Sequence, residues 1–154
     1  MKPIFVAVIA LLAMLAGCAS VPLAPPSNSA QAKQFNAPSP DKAGVYIYRI
    51  DSFAGAGLKK DVWIDQDCVG ETAKGVFFYQ EVDGDLPHSI ATESEFSPNR
   101  IVINPKKGRL YFVEQYIKLG VFVGGADLRE QDVAVGQEEV SKLKLAVPGH
   151  CSSS

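Results

Sequence analysis

The sequence predicts a mainly β protein: a single antiparallel β-sandwich, or a small barrel, of about seven strands with one short C-terminal helix. Short runs rich in β-branched and aromatic residues recur from residue 44 onward, and turn signals separate them about every ten residues. No strand–helix alternation of the kind that builds a parallel sheet is present. About 100 residues in this part of the chain are enough for one hydrophobic core without a metal.

The first 17 residues have the composition of a cleaved secretory signal peptide. Lys2 precedes an unbroken apolar run from Ile4 to Leu15, and two small residues follow it. A basic start, an apolar run of about 7–15 residues and a small-residue exit are typical of such a signal. The alternative is an uncleaved transmembrane helix, which needs about 20 apolar residues and is not favoured by this shorter run.

The motif Leu15-Ala16-Gly17-Cys18 resembles the lipobox of bacterial lipoproteins. The resemblance implies that the chain is cut before Cys18, that Cys18 Sγ takes a diacylglyceryl group, and that the new amino group is acylated, with palmitate as the expected chain. Two acyl chains hold a protein stably on a membrane, whereas one is marginal. Because Ala19 follows rather than an aspartate, resemblance to the sorting rule of Gram-negative lipoproteins implies the outer membrane, facing the periplasm, rather than the cell membrane.

The mature chain has the size of one ordinary domain. Removing 17 of the 154 residues leaves 137, which falls within the usual range for a single domain. Lys2 leaves with the signal, so 14 basic residues face 17 acidic ones and the net charge is −3. No basic run is longer than the pair Lys106-Lys107. A mildly acidic chain without a basic stretch argues against a nucleic-acid partner.

Residues 18–42 are expected to form a disordered tether that joins the lipidated cysteine to a β-sandwich domain over residues 43–151. Five of the ten prolines fall in this tether, and no apolar periodicity appears there. Such a composition cannot bury enough apolar surface to offset chain entropy. A fully extended polyproline-like tether would reach about 74 Å, so we expect the domain to stand clear of the membrane.

Seven segments of the domain have strand patterns, and the last part has a helical one. Gly-, Asp- or Pro-containing turns separate the strand segments, which cover residues 45–50, 61–65, 68–71, 76–82, 88–93, 101–104 and 109–117. A further apolar piece is Val121-Phe122-Val123. From residue 136 the period changes, and Val140, Leu143 and Val147 are spaced as one helical face. Trp63 lies in the middle of its strand and is expected to be mostly buried.

The order of several short motifs carries a family resemblance. These motifs are Val45-Tyr46-Ile47-Tyr48-Arg49, Val62-Trp63-Ile64-Asp65 with Val69-Gly70, Asp83-Gly84 with His88-Ser89-Ile90, and Gly108-Arg109-Leu110-Tyr111-Phe112. Over residues 43–146 the chain resembles a family of bacterial lipoproteins known only as a domain of unknown function, DUF2846. It resembles more distantly the small β domains called PEGA, from which the tryptophan-bearing strand and Cys68 depart. The resemblance implies a β-sandwich and no established activity.

Cys68 and Cys151 are the two cysteines that remain after Cys18 is lipidated. An even number of thiols in an oxidising compartment predicts a disulfide between them. Cys68 opens a strand after a turn and Cys151 lies just past the terminal helix, so a bridge would hold the C-terminal segment against the sheet. The alternative is two unpaired cysteines that lie too far apart to meet.

No cofactor or metal site is expected from the sequence. The glycine-containing loop over residues 53–60 lacks the glycine spacing and the Lys-Ser or Lys-Thr pair of a phosphate-binding loop. A set of His88, His150, Cys68 and Cys151 does not have the close ligand pairs that zinc sites use. We therefore expect neither a bound nucleotide nor a metal ion.

No catalytic residue is expected either. His150 beside Cys151 is only sequence adjacency, whereas a nucleophilic cysteine needs a base in space and a depressed pKa. No Gly-x-Ser-x-Gly elbow of a serine hydrolase is present. A hydrolytic carboxylate pair must flank a cleft. The acidic residues on and after the second strand are therefore interpreted as facing water: Asp61, Asp65, Asp67 and Glu71.

The sequence therefore favours a protein that is not an enzyme: a membrane-anchored periplasmic lipoprotein whose β domain binds or steadies an envelope partner, either a protein or peptidoglycan. Its expected signature is an exposed apolar patch or a free sheet edge. The alternative is a small hydrolase or an apolar-ligand carrier of the cell envelope, with Phe78, Tyr79 and Tyr116 lining a cavity. A deep pocket with convergent polar groups would favour that alternative. Lys106, Lys107 and Arg109 are expected to keep their hairpin solvated, and the alternative is a contact with phospholipid or peptidoglycan there.

Overall fold

The computed structural model describes residues 17–152, so the predicted signal peptide lies almost wholly outside the described residues. In chain order the elements are α1 (Pro26–Ala32), β1 (Lys42–Arg49), β2 (Lys60–Ile64), β3 (Asp67–Thr72), β4 (Val76–Asp83), β5 (His88–Thr92), β6 (Asn99–Ile103), β7 (Leu110–Lys118), β8 (Gly125–Gln131), α2 (Val133–Ser141) and β9 (Lys144–Leu145). The prediction of a mainly β, sandwich-like fold is confirmed. The barrel alternative is not, because these strands form two separate sheets.

The first sheet has the strand order β8-β7-β1-β4-β9, and the second has the order β3-β2-β5-β6. Most neighbours are antiparallel, but β1 pairs with β7, and β4 with β9, in parallel. The expectation of a wholly antiparallel sandwich is wrong at these two pairs. The pairing of β1 with β7 arises because β7 enters the first sheet from the second, on the side of β1 that β4 leaves free.

Strand β1 lies at the centre of the first sheet and is buried on both faces. Val45 and Ile47 belong to the core between the sheets. Tyr46 and Tyr48 belong to a second apolar cluster on the outer face, which α2 and the segment around Phe35 cover. Burial on both faces explains why the sequence of β1 is a continuous apolar and aromatic run rather than an alternating one.

The strands run between two ends of the sandwich. At one end β1, β3, β5 and β7 terminate, and the connections 50–59, 73–75, 93–98 and 119–124 begin there. We call this the loop end. The turns at residues 65–66, 84–87 and 104–109 lie at the opposite end. The strand directions thus decide which connections meet in space.

The structure differs from the disordered tether expected over residues 18–42. This segment contains α1 and lies along the domain, where Leu23 forms a β-bridge with Ala146. The Tyr46 hydroxyl donates a 2.7 Å hydrogen bond to the last carbonyl of α1. Phe35 packs against Tyr46 and Phe112 with ring centroids 5.4 and 5.9 Å apart. The few apolar side chains of this proline-rich segment supply enough contacts to order it, so it is not a free spacer.

The C-terminal half also departs from the prediction. Val121-Phe122-Val123 is an exposed loop, and β8 follows it in a segment for which no strand was predicted. Helix α2 covers Val133–Ser141 and so begins and ends earlier than expected. Val140 and Leu143 are buried, but Val147 lies beyond the helix and is 46% exposed. Neither helix of residues 17–152 is long and apolar enough to cross a membrane.

Trp63 is mostly buried, as expected, but it is not fully enclosed. It alternates along β2 with Val62 and Ile64, which fill the core between the sheets, so Trp63 belongs to the other face of the strand. Removing its side chain is therefore expected to cost less than the about 3–5 kcal/mol that a fully buried tryptophan contributes.

Candidate functional site

Three connections at the loop end expose large apolar side chains. They join β1 to β2, β5 to β6, and β7 to β8. The exposed fractions run from 54% to 100%, and the residues are Phe53, Phe96, Leu119, Val121, Phe122 and Val123. We call this set the apolar loop surface. Exposed apolar groups that gather at one place are typical of sites that bind another molecule or a membrane.

Hydrogen bonds fix two of these connections to each other. The Glu95 carboxylate accepts hydrogen bonds from the main-chain N–H groups of Val121 at 2.6 Å, of Val123 at 3.3 Å, and of Phe122 between them. Desolvation raises the pKa of Glu95, but these three donors outweigh it and hold the pKa below its usual range. The 119–124 connection is therefore ordered by charge-assisted hydrogen bonds from the 93–98 connection.

Arg49, the last residue of β1, shapes the third connection. It is 2% exposed, and its guanidinium donates hydrogen bonds to the carbonyl of Leu58 at 2.8 Å and to that of Gly55. Burial lowers the pKa of Arg49 to about 10. Gly55 has a φ of +72°, and a Cβ at this position would overlap the Ile117 side chain on β7. The three connections thus form one ordered surface.

Cys18, the predicted lipidation site, lies beside this surface. The main-chain N–H of Ala19 donates a 2.8 Å hydrogen bond to the carbonyl of Ala56, in the connection that carries Phe53. Cys18 itself is exposed and has a free thiol. The N-terminal end of the described chain is therefore at the loop end of the sandwich.

The opposite end of the sandwich is charged instead of apolar. Lysines and aspartates from β1, β4 and the turns at 84–87 and 104–109 face one another there. The pairs are Lys42–Asp83 at 2.7 Å, Lys107–Asp41 at 3.0 Å and Lys106–Asp85 at 3.8 Å. Exposed pairs of this kind contribute little stability, so their main effect is to keep this end solvated.

The predicted disulfide is confirmed: Cys68 and Cys151 are joined, with their Cα atoms 6.1 Å apart. Just beyond it, the main-chain N–H and the hydroxyl of Ser152 donate hydrogen bonds of 3.1 Å to the carboxylate of the buried Asp61. Because the two sulfurs are bonded to each other, neither is a thiolate that could act as a nucleophile beside His150 or bind a metal. The C-terminal segment is held on β2 and β3.

His88 uses both of its ring nitrogens. Nδ1 lies 2.5 Å from the Asp65 carboxylate, and Nε2 lies 2.8 Å from the Asp83 carbonyl oxygen. Burial lowers the pKa of His88, but these two acceptors outweigh it and raise the pKa above its usual value. Since no ring nitrogen is left to take a proton from a substrate, His88 joins two turns rather than serving as a general base.

The carboxylates considered together in the sequence fall into two pairs. Asp61 lies opposite Glu71 in the β2–β3 register, and Asp65 and the exposed Asp67 line one shallow pocket with His88. Asp61 and Asp65 bind the partners described above, and Glu71 lies 3.1 Å from Lys59. Within residues 17–152, no group of three or more His, Cys, Asp or Glu side chains is placed to hold a metal ion.

A groove of about 560 Å³ lies between α1 and the edge of the first sheet formed by β4 and β9. Its apolar lining includes Tyr46, Phe78, Tyr79, Leu145 and Ala146. Tyr116, expected to share a cavity with Phe78 and Tyr79, instead stacks under the Arg129 guanidinium at 4.9 Å. Glu81 at the groove accepts a 3.0 Å hydrogen bond from the Tyr79 hydroxyl. The groove is thus mainly apolar and has no evident nucleophile–base pair.

Sequence reasoning did not identify the apolar loop surface. Phe53, Phe96 and Phe122 each lie in a short segment with glycine, serine or proline neighbours, where hydrophobic periodicity gives no information. The feature of the sequence that could have indicated this surface is the presence of large apolar residues inside such loops. Their convergence depends on the parallel pairing of β1 with β7, which the sequence did not predict.

Comparisons with known proteins agree on the family and are silent on activity. Residues 39–126 match the model of a family described as a protein of unknown function (DUF2846). The chain is 46% identical over 140 residues to an uncharacterised protein of Haemophilus influenzae, with 91% of this chain and 82% of that protein covered. No solved structure matches. The matched family region includes all three connections of the apolar loop surface.

Proposed function

The chain belongs to the DUF2846 family of proteins of unknown function, and because that description carries no activity, we propose a function from the geometry. The protein is a lipid-anchored periplasmic protein of the outer membrane. Its β domain is not an enzyme but binds or steadies an envelope partner through the apolar loop surface.

The apolar loop surface is the single observation that carries this proposal. Phe53 is 95% exposed and Phe122 is 82% exposed, although both could have been replaced by polar residues without loss to the core. Exposed rings cost solubility, and their concentration at one end of a domain indicates a binding surface. The position of Cys18 beside them joins this surface to the predicted anchor.

The states of His88, of the two cysteines and of the polar groups between the sheets support a non-enzymatic role. His88 is bound at both ring nitrogens, and Cys68 and Cys151 are oxidised. The polar groups between the sheets bind one another: Gln115 Nε2 donates a 2.7 Å hydrogen bond to Thr92, and Thr92 donates to the Asp61 carbonyl at 3.0 Å. Gln115 and Thr92 thus hold the two sheets together.

The test places the photo-crosslinking residue benzoylphenylalanine at position 122 of the full-length protein in its native envelope. A matched variant carries it at position 86, because Leu86 is 53% exposed at the opposite, charged end. We expect light-dependent adducts at position 122 and none at position 86. Equal adduct yields at the two positions would contradict the assignment of the binding surface.

Cys18→Ser serves as the control for the anchor in the same experiment. Without the thiol the chain cannot take a diacylglyceryl group, so it should remain an unprocessed, unlipidated precursor and lose the adduct at position 122. A Cys18→Ser protein that still fractionates with membranes at mature length would show that the lipobox interpretation is wrong.

A second candidate function, carriage of an apolar ligand of the cell envelope, is favoured by the groove beside α1. Its volume of about 560 Å³ and its aromatic lining are suited to a small apolar molecule. Ala37 lies exposed at its rim, so Ala37→Trp would block the groove without disturbing the core. Binding of a fluorescent fatty acid that this substitution abolishes would support the carrier; binding that it leaves unchanged would not.

A further inference from the structure

Main-chain hydrogen bonds hold the predicted lipid attachment site directly against the domain. The main-chain N–H of Ala19 is bonded to the Ala56 carbonyl at 2.8 Å, and that of Ala24 to the Leu145 carbonyl at 2.9 Å. A diacylglyceryl group on Cys18 therefore leaves the protein at the apolar loop surface. The leaflet that receives its acyl chains must adjoin that surface.

The exposed side chains at this place are suited to the boundary between lipid headgroups and acyl chains. Leu119 is 100% exposed, and Phe53 and Phe122 stand on two different connections of the same end. Aromatic and branched aliphatic side chains gain free energy when they enter that boundary from water. Because the acyl chains on Cys18 already hold the protein stably, burial of these side chains fixes the orientation of the domain on the leaflet rather than its attachment.

Charge contributes little to this contact. Four lysines near the loop end are paired with a carboxylate: Lys118–Asp127 at 2.9 Å, Lys59–Glu71 at 3.1 Å, Lys74–Asp51 at 3.2 Å and Lys60–Glu93 at 3.4 Å. Lys144, beside the start of β4, and Arg100, at the start of β6, are exposed at this end without such a pair in the described part of the chain. With most of these charges balanced, attraction to anionic headgroups is the smaller contribution, and apolar burial provides most of the contact. The Lys–Asp pairs of the opposite end are far from it.

We infer that the apolar loop surface lies on the phospholipid leaflet to which Cys18 is attached, with Phe53 and Phe122 inserted among the lipids. The inference rests on the proposed function, because it requires the anchor at Cys18, and it names the partner at this surface as a lipid surface rather than a protein. The loop end then faces the leaflet, and the charged end faces the periplasm.

The ordered geometry of the three connections favours insertion. Glu95 holds the main chain of Phe122, and Arg49 holds the connection that carries Phe53. The inserting rings are thus already in place in the free protein, so little conformational entropy is lost when they enter the leaflet.

Depth-dependent fluorescence quenching tests this orientation. The full-length lipidated protein is reconstituted into vesicles of phosphatidylethanolamine and phosphatidylglycerol that contain acyl-brominated lipid. Phe122→Trp and Leu86→Trp are compared in a Trp63→Phe background, so each protein has a single indole. We expect quenching at position 122 to be severalfold stronger than at position 86, because only the former lies within reach of the bromine atoms.

A second measurement does not depend on added tryptophans. Phe53→Ser and Phe122→Ser should each raise the rate of transfer of the lipidated protein between vesicles by about tenfold. Each variant lacks a ring whose burial among the lipids slows the release of the protein. Leu86→Ser is the matched control and should leave the rate unchanged. The difference should persist at high salt, since it does not come from exposed charges.

The outcomes separate this inference from the proposed function. If the protein stays on the vesicles but position 122 is quenched no more than position 86, the leaflet contact is wrong and the apolar loop surface remains for a protein partner. If the protein carries no acyl chain and does not remain on vesicles, the anchor is wrong, and both the proposed function and this inference are overturned.

Discussion

The His88–Asp65 pair joins the turn after β2 to the start of β5. In the folded protein the pKa of His88 is raised above 6.5: burial lowers it, but the two acceptors outweigh burial. Its stabilising effect is therefore complete below pH 6.5 and is lost as the pH rises through the raised pKa. Burial raises the pKa of Asp65, but His88 and the Ser89 N–H outweigh burial and lower that pKa below 3.8. The stability that the ionised Asp65 contributes is therefore lost as the pH falls through the lowered pKa.

We therefore expect His88→Gln to lower the free energy of unfolding most between these two pKa values. The loss should be about 1 kcal/mol near pH 5.5, modest because the Asp65 side chain is 46% exposed, and smaller near pH 9. Urea unfolding at the two pH values measures it. In a double-mutant cycle, Asp65→Asn should add little to His88→Gln at pH 5.5. A loss that is equal at both pH values would mean that the charged form of His88 is not involved.

Individual residues differed in how far they could be predicted. The disulfide between Cys68 and Cys151 was predicted because two remaining thiols in an oxidising compartment are expected to pair, and this expectation needs no knowledge of geometry. The face of β2 on which Trp63 lies was not predicted, because the strand has apolar residues on both faces and the sequence does not say which face meets the first sheet. The sequence indicates only that Phe122 lies in a short apolar segment. Its exposure depends on the hydrogen bond from its main-chain N–H to Glu95, which lies 27 residues away in sequence.

Helix α2 packs on the outer face of the first sheet at unusually close range. Gly136 is buried in the middle of the helix, and a Cβ at this position would overlap the ring of Phe112 on β7. Phe112 is 0% exposed and cannot move aside without disturbing Tyr46, with which it stacks at 4.9 Å between ring centroids. The glycine is needed for the close approach of helix and sheet, not for a special main-chain conformation.

Gly136→Ala should therefore destabilise the protein, although alanine is the better helix former. The gain in helix propensity is about 1 kcal/mol, and overpacking against a buried ring costs about 1–3 kcal/mol, with the overlap here pointing to the upper part of that range. We expect a net loss in the free energy of unfolding, measured by urea denaturation. Val135→Ala, on the exposed side of the same helix, is the control and should be close to neutral. A stabilised Gly136→Ala protein would contradict the packing of α2 on β7.

At the scale of elements, the strands with a clear pattern were predicted and those supported by distant contacts were not. The seven predicted strand segments overlap β1–β7. β8 was missed because Gly125–Gln131 is an edge strand with charged residues, in which only Ala126 and Leu128 are buried apolar residues. α1 was missed because its short, proline-initiated sequence is ordered by Tyr46 and Phe35, contacts that local composition does not reveal.

The two terminal segments of the described chain support each other across both sheets. The C-terminal segment pairs with β4 through β9. The Gly149 N–H then donates a 2.8 Å hydrogen bond to the Val69 carbonyl on β3, and the disulfide joins Cys151 to Cys68. The N-terminal segment lies on it, since the Val147 N–H donates a 2.9 Å hydrogen bond to the Pro22 carbonyl. The place of Cys18 at the loop end therefore depends on a C-terminal segment that the disulfide holds.

Removal of the disulfide should accordingly weaken the whole molecule. Cys68 and Cys151 are 83 residues apart in sequence, for which the loss of chain entropy in the unfolded state predicts a stabilisation of about 4–5 kcal/mol as an upper value. Cys68→Ala/Cys151→Ala should lower the free energy of unfolding by about 2–5 kcal/mol, measured with urea under non-reducing conditions. The reduced wild-type protein is the control and should show a similar loss. Thiol labelling of the unfolded, unreduced periplasmic protein provides a direct check. Two reactive thiols at these positions would show that the bridge does not form in the cell. The ordered attachment of both terminal segments would then need another explanation.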